Sequence, residues 1–86
     1  MPSQYYALHV LRFPRNKTQP EAKVRKFIAD HGFSVANMSY RLDDGGKVFE
    51  YPMSIRTIDQ RNITRLVEDY RKREDVLEFR VSPTGD

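Results

Sequence analysis

The stretch Phe33-Ser34-Val35-Ala36-Asn37-Met38-Ser39-Tyr40-Arg41-Leu42-Asp43-Asp44-Gly45-Gly46-Lys47-Val48-Phe49-Glu50-Tyr51-Pro52-Met53-Ser54-Ile55-Arg56-Thr57 reads as two strands joined by a tight hairpin. Asp43-Asp44-Gly45-Gly46 forms the turn, because aspartate and glycine tolerate the positive φ that such turns require. One arm is expected over 33–42 and the other over 47–57. The second arm separates its faces cleanly. Phe49, Tyr51, Met53 and Ile55 lie on one side, and Glu50, Pro52, Ser54 and Arg56 on the other. That period of two marks an antiparallel strand buried on one face. Pro52 cannot donate to a ladder, so a bulge or irregularity is expected there.

Outward from the hairpin, each arm meets a helix and each helix a further strand. Helix one is expected over 19–31, with Val24, Phe27, Ile28 and His31 in one stripe and Gly32 stopping it in a left-handed turn. Thr18 and Glu21 have capping-box spacing at its start. Helix two is expected over 60–73, capped by Asp59, with Ile63, Leu66, Val67 and Tyr70 on its apolar stripe. The outer strands are expected over 4–13 and 76–82, the latter placing Leu77, Phe79 and Val81 on one face. The order strand, helix, strand, strand, helix, strand specifies an α+β, ferredoxin-like sandwich. Its two helices pack on one face of a four-stranded antiparallel sheet. Residues 4–82 form a single domain, residues 1–3 read as an added start or linker, and residues 83–86 as a polar tail.

Strand one is apolar on both sides. With Tyr6, Leu8 and Val10 toward the helices, Tyr5, Ala7, His9 and Leu11 form an exposed face apolar enough for a homodimer.

Composition narrows the function. The 86 residues are 38% apolar and 31% charged, with a net charge of +3. That suits one small soluble domain, and the charge is too mild to indicate specific nucleic-acid binding. No cysteine is present, which removes thiol catalysis, disulfides and zinc-thiolate sites. No apolar run approaches the ~20 residues that cross a bilayer, and no signal peptide is visible. Phosphate-loop, serine-hydrolase and dinucleotide glycine patterns are absent.

The remaining candidates are few. His9 and His31 have no carboxylate at motif spacing, and Asp43 and Asp44 are accounted for by the turn. No catalytic residue, metal site or cofactor is therefore expected. Phe49 and Tyr51 invite comparison with the stacking strand of RNA-recognition domains. If they faced solvent, Glu50, Ser54 and Arg56 would have to lie under the helices, and burying those charges costs more than stacking returns. Arg71-Lys72-Arg73 reads as a solvated helix end offset by Glu74-Asp75. One loop is left: Arg15, Asn16, Lys17 and Thr18, ahead of a helix N-terminus, form a candidate anion or ligand loop. The segment from Phe13 to Glu21 has no glycine and two prolines, so close backbone approach to a ligand is disfavoured.

The element order, the long hairpin and the closing strand resemble ACT-like regulatory domains. More narrowly, Phe49-Glu50-Tyr51-Pro52-Met53-Ser54-Ile55-Arg56-Thr57, with Val76-Leu77-Glu78-Phe79-Arg80-Val81-Ser82-Pro83-Thr84-Gly85-Asp86, resembles the C-terminal end of MgtC/SapB-family membrane proteins. The resemblance implies a regulatory or interaction domain without catalysis, on the cytoplasmic face of the inner membrane. It implies as partners the membrane helices of its own parent chain and, as in some members, the F-type ATP synthase. It implies a part in growth at low magnesium and in survival of intracellular pathogens inside macrophages. The alternatives are a free-standing ACT-like sensor of an amino acid or small anion, and a weak RNA-binding module.

Overall fold

The computed structural model describes residues 4–84. The expected linker 1–3 and the last two residues of the expected tail lie outside them. The elements are β1 (Tyr5–Pro14), α1 (Glu21–Asp30), β2 (Ser34–Ala36), β3 (Arg41–Asp43), β4 (Val48–Thr57), α2 (Arg61–Arg71) and β5 (Glu78–Thr84). A short 3-10 turn spans Arg15–Lys17, and a tight left-handed turn spans Asp44–Gly46. The sheet runs β2-β4-β1-β5, with β3 also paired to β4 and every pairing antiparallel. The α+β sandwich expected from the sequence is the fold observed.

The first hairpin arm differs from expectation. It is two short strands rather than one, and the reason lies across the ladder at Pro52. The Ser39 amide donates to the Pro52 carbonyl at 2.8 Å. In an antiparallel strand a residue's N–H and C=O point the same way. The proline's missing donor therefore faces this outer edge, and here the arm breaks, with Asn37 at φ 54. On its other side β4 pairs with β1 without interruption, Val10 opposite Pro52. The expected irregularity falls on the neighbour and not on β4. The Asp44–Gly46 turn has positive φ at all three residues, as its composition demands.

The largest correction concerns β1. Ala7, His9, Leu11 and Phe13 are buried under the helices, and Tyr6 and Leu8 are exposed on the free face. This is the reverse of the expected orientation. The expected face of β4 is observed: Tyr51, Met53 and Ile55 are buried and Phe49 packs against them. Val24 and Ile28 of α1, with Leu66 and Tyr70 of α2, close the core, and Phe27 and Ile63 pack at its margin. Tyr51 and Phe49 are thus core residues, as the argument against base stacking requires.

The element ends carry further corrections. Thr18 and Glu21 form no capping box. The Thr18 hydroxyl donates back to the Pro14 carbonyl at 2.9 Å, and α1 starts after Pro20 with no side-chain cap. Pro20 sets an extended entry that leaves Glu21 free to pair with Arg25. Asp59 does accept the Arg61 amide at 3.0 Å, as expected. β5 runs two residues further than expected, with Pro83 opposite Ala7, so Pro83 and Thr84 belong to the sheet and not to a tail. Leu77 precedes the strand and is exposed, its amide donating to the Arg12 carbonyl at 2.9 Å.

Gly32 ends α1 at φ +87. A Cβ there would meet Asn62 Nδ2 at 2.5 Å, so glycine is required by conformation and by space alike. Asn62 in turn donates to the buried Thr57 hydroxyl at 2.9 Å, and that hydroxyl donates to the Gly32 carbonyl at 3.0 Å. One small polar knot therefore joins the end of α1, the end of β4 and the start of α2.

Candidate functional site

The candidate loop sits on the turn after β1. Its backbone is fixed by the Arg15 amide, which donates to the Lys47 carbonyl at 3.0 Å, and the Arg15 guanidinium reaches the Gly46 carbonyl at 3.4 Å. Arg15, Asn16 and Lys17 are exposed together on this turn, and Thr18 is half-buried with its hydroxyl spent on backbone carbonyls. The first turn of α1 already faces a carboxylate of its own. Glu21 accepts from the Tyr40 hydroxyl and from Arg25, and those bonds, the Tyr40 bond foremost, hold its carboxyl below the usual range. The structure groups the three polar residues of the turn but does not join them to free helix amides. The arrangement offers exposed positive charge and one carboxamide.

The free face of the sheet holds a second polar grouping that the sequence does not announce. Arg12 lies between Glu50 on β4 and Glu78 on β5, its register partners. It meets Asp43 at 3.2 Å, Glu78 at 3.5 Å and Glu50 at 3.6 Å. Glu50 is only 8% exposed, so Arg12 is the cation that makes its burial tolerable. Beyond this cluster an apolar band runs along Tyr6, Leu8, Val10 and Pro52, bordered by Ser54 on β4 and by Arg80 and Ser82 on β5. Two shallow hollows flank that band. One, of about 430 Å³, is lined by Tyr6, Ser34, Ala36, Ser54 and Arg56; the other, of about 240 Å³, by Leu8, Val10 and Pro52.

Each histidine has a tertiary partner that spacing along the chain conceals. His9 is fully buried, with Nδ1 2.8 Å from the Arg80 carbonyl and Nε2 2.9 Å from the Tyr70 hydroxyl. The carbonyl can only accept, so Nδ1 carries the proton and Nε2 accepts from Tyr70. Burial lowers the His9 pKa to about 4 and raises that of Tyr70. His31 lies 2.7 Å from the Phe27 carbonyl through Nδ1 and 2.5 Å from Asp69 through Nε2. That hydrogen bond holds the Asp69 carboxyl below its usual range. Arg73 likewise lowers Asp75, at 2.5 Å, while its guanidinium stacks over Phe27 at 4.8 Å. The basic run at the end of α2 is therefore partly folded into the structure and not wholly solvated.

These polar groups join secondary elements. Among the described residues no group of three His, Cys, Asp or Glu side chains is placed to hold a metal ion. No helix among them is long and apolar enough to cross a membrane.

The architecture has close counterparts among solved structures. The crystal structure of the ACT domain from GTP pyrophosphokinase of Chlorobium tepidum superposes with a TM-score of 0.62 at 11% identity, covering 92% of this chain and 99% of that one. The solution NMR structure of the same domain gives 0.61 at 12% identity, with 91% and 85% covered. The fold is ACT-like. The de novo designed protein Foldit4 also matches, with a TM-score of 0.54 at 23% identity over 98% of this chain and 99% of that one. No family model matches the sequence, and neither does any curated protein.

Proposed function

We propose that this chain is a regulatory domain that acts by contact and not by catalysis, as the cytoplasmic part of an MgtC-like membrane protein serving adaptation to low magnesium and intracellular survival. The observation that carries the regulatory reading is the ACT-like sandwich, covered on one face and open on the other. The histidines, which would be the natural acid–base groups, are both engaged in holding elements together. The finer reading is supported by the resemblance of Val76–Asp86 and of the Phe49–Thr57 strand to the C-terminal end of that family. Its partners would be the membrane helices of the parent chain and, through them, another membrane protein such as the ATP synthase. Deleting the domain from the parent gene tests this. Loss of growth in magnesium-limited medium, with normal growth in replete medium, is the expected result. Equal growth of both strains in limited medium overturns the reading.

A second reading, a sensor of an amino acid or small anion, is favoured by one observation: Arg15, Asn16 and Lys17 are exposed side by side on one turn. Glu21 at the helix start opposes it. An NMR titration with the twenty amino acids is expected to show no affinity better than about millimolar, or about 4 kcal/mol of binding free energy. Saturable shifts at micromolar ligand, centred on Arg15 to Thr18, would install the sensor reading instead.

A further inference from the structure

The free face of the sheet carries an apolar band along β1, with a charged group at each end and exposed Arg80 beside Val10 on β5. Tyr6 is 49% and Leu8 54% exposed, and Val10 and Pro52 lie half-buried beside them. At one end Arg56 stands opposite Tyr6, exposed and without a carboxylate partner among the described residues. At the other end Asp43, Glu50 and Glu78 surround Arg12, and Arg41 reaches Asp43 at 3.7 Å. That end gathers three carboxylates on the β3–β4–β1–β5 face, with Arg80 next to them on β5.

We propose that this face is the contact between two copies of the chain, stacked sheet on sheet about a two-fold axis that runs across the strands. A two-fold contact must be complementary to itself, and charge decides which two-fold is allowed. An axis along the strands lays β1 on its copy at equal height. It sets Arg12 against Arg12 and Glu50 against Glu78, and like charges so placed disfavour association. An axis across the strands, passing between Leu8 and Val10, reverses the heights. Leu8 then covers Val10 of the second copy, Arg56 meets its Glu50, and the Tyr6 ring meets its Arg12, each contact occurring twice. A guanidinium over a tyrosine face is itself attractive. The hollow beside Tyr6 and Arg56 gives room for the incoming charged end. Sheets stacked in this way lie about 10 Å apart and cross at about 30°.

The sheet edges are poorer routes to association. One is divided between two strands of three residues each, and the other carries Pro83, which has no donor for a neighbouring strand.

Sedimentation equilibrium, with a concentration series of amide NMR spectra, tests the proposal. The expected result is a monomer–dimer equilibrium whose concentration-dependent shifts fall on Tyr6, Leu8, Val10, Ser54 and Arg56. Leu8→Glu and Arg56→Glu should each weaken association at least about tenfold. Thr64→Glu, at an exposed position of α2, should leave it unchanged. Arg56 is a surface residue, so its variant folds even if the Leu8 variant does not. A protein that stays monomeric at about 1 mM, shifts confined to the helices or to β5, or undiminished association of the Arg56 variant would each overturn the proposal.

Discussion

The two faces of β1 are built from similar residues and have opposite fates. Ala7, His9, Leu11 and Phe13 are at most 2% exposed, whereas Tyr6 and Leu8 are about half exposed. Hydropathy alone favours the wrong orientation, because one set contains a histidine and the other reads Tyr, Leu, Val. The difference teaches that a polar residue decides a strand's orientation by the partners it can find. His9 finds a hydroxyl and a carbonyl inside the protein, and both its nitrogens are satisfied. Arg12, two residues beyond Val10 in the same phase, finds its three carboxylates only on the free face.

The most severe test of this contrast is Leu11→Ala. Leu11 is 1% exposed, in the middle of the covered face. Removing its branch leaves a cavity between sheet and helices, and the expected loss is about 2–5 kcal/mol in urea denaturation. A loss below about 0.5 kcal/mol would mean that β1 presents its other face to the helices.

His9 sharpens the contrast through pH. Its folded pKa of about 4 lies below its ordinary value of 6.5, so the unfolded chain takes up the proton first as pH falls. The stability linked to this group is complete above pH 6.5 and drains away as pH drops toward 4. The full span corresponds to about 3 kcal/mol, with about 2 kcal/mol lost between pH 6.5 and 5. The carboxyls that are held low, such as Asp69 and Asp75, lose their contribution only in more acid solution. Denaturation at pH 6.5 and 5 should show this slope in the wild type and a flatter one in His9→Gln. Equal slopes would remove His9 as the cause.

Much of this architecture is legible along the chain, because the helical stripes and the alternation of Phe49, Tyr51, Met53 and Ile55 are local patterns that burial imposes directly. Three things are not local. The phase of β1 is ambiguous from Tyr5 to Leu11; extending the comparison to Arg12 and Phe13 resolves it, since only one of these suits a core. The break between β2 and β3 depends on which edge Pro52 faces, and that is a property of the register. The pairs His9–Tyr70 and His31–Asp69 join residues far apart in sequence, so no spacing rule marks them. In the candidate loop, the exposure of Arg15 to Lys17 follows from composition. The commitment of Thr18 to backbone carbonyls follows from the 3-10 turn, which the apparent capping box obscured.

The free face is not uniformly dispensable, and Arg12→Met separates its parts. The substitution keeps much of the side-chain stem and removes the charge, leaving the nearly buried Glu50 without its cation. About 1–3 kcal/mol should be lost, the penalty of an unpaired buried polar group. Adding Glu50→Gln should recover part of that loss, because the stranded charge is then gone. A double variant no better than the single one would show that packing of the arginine stem, and not its charge, was what mattered.

The smallest expected effect is the closest control for the largest. Leu8→Ala changes the same residue type as Leu11→Ala, on the same strand and only three positions away. Leu8 is 54% exposed and stands opposite Ser54 and Ser82 on the free face. Truncating it opens no enclosed cavity, and much of the removed surface was already in water. In dilute solution, where no second copy covers the face, the cost should stay within about 0.5 kcal/mol, as for surface substitutions in general. At concentrations where the protein self-associates, the cost should grow, because Leu8 then loses its contact with Val10 of the second copy. A cost that rises with protein concentration therefore ties the free face to self-association. A large cost at every dilution would mean instead that Leu8 is packed within the monomer, and the contrast between the two faces would collapse.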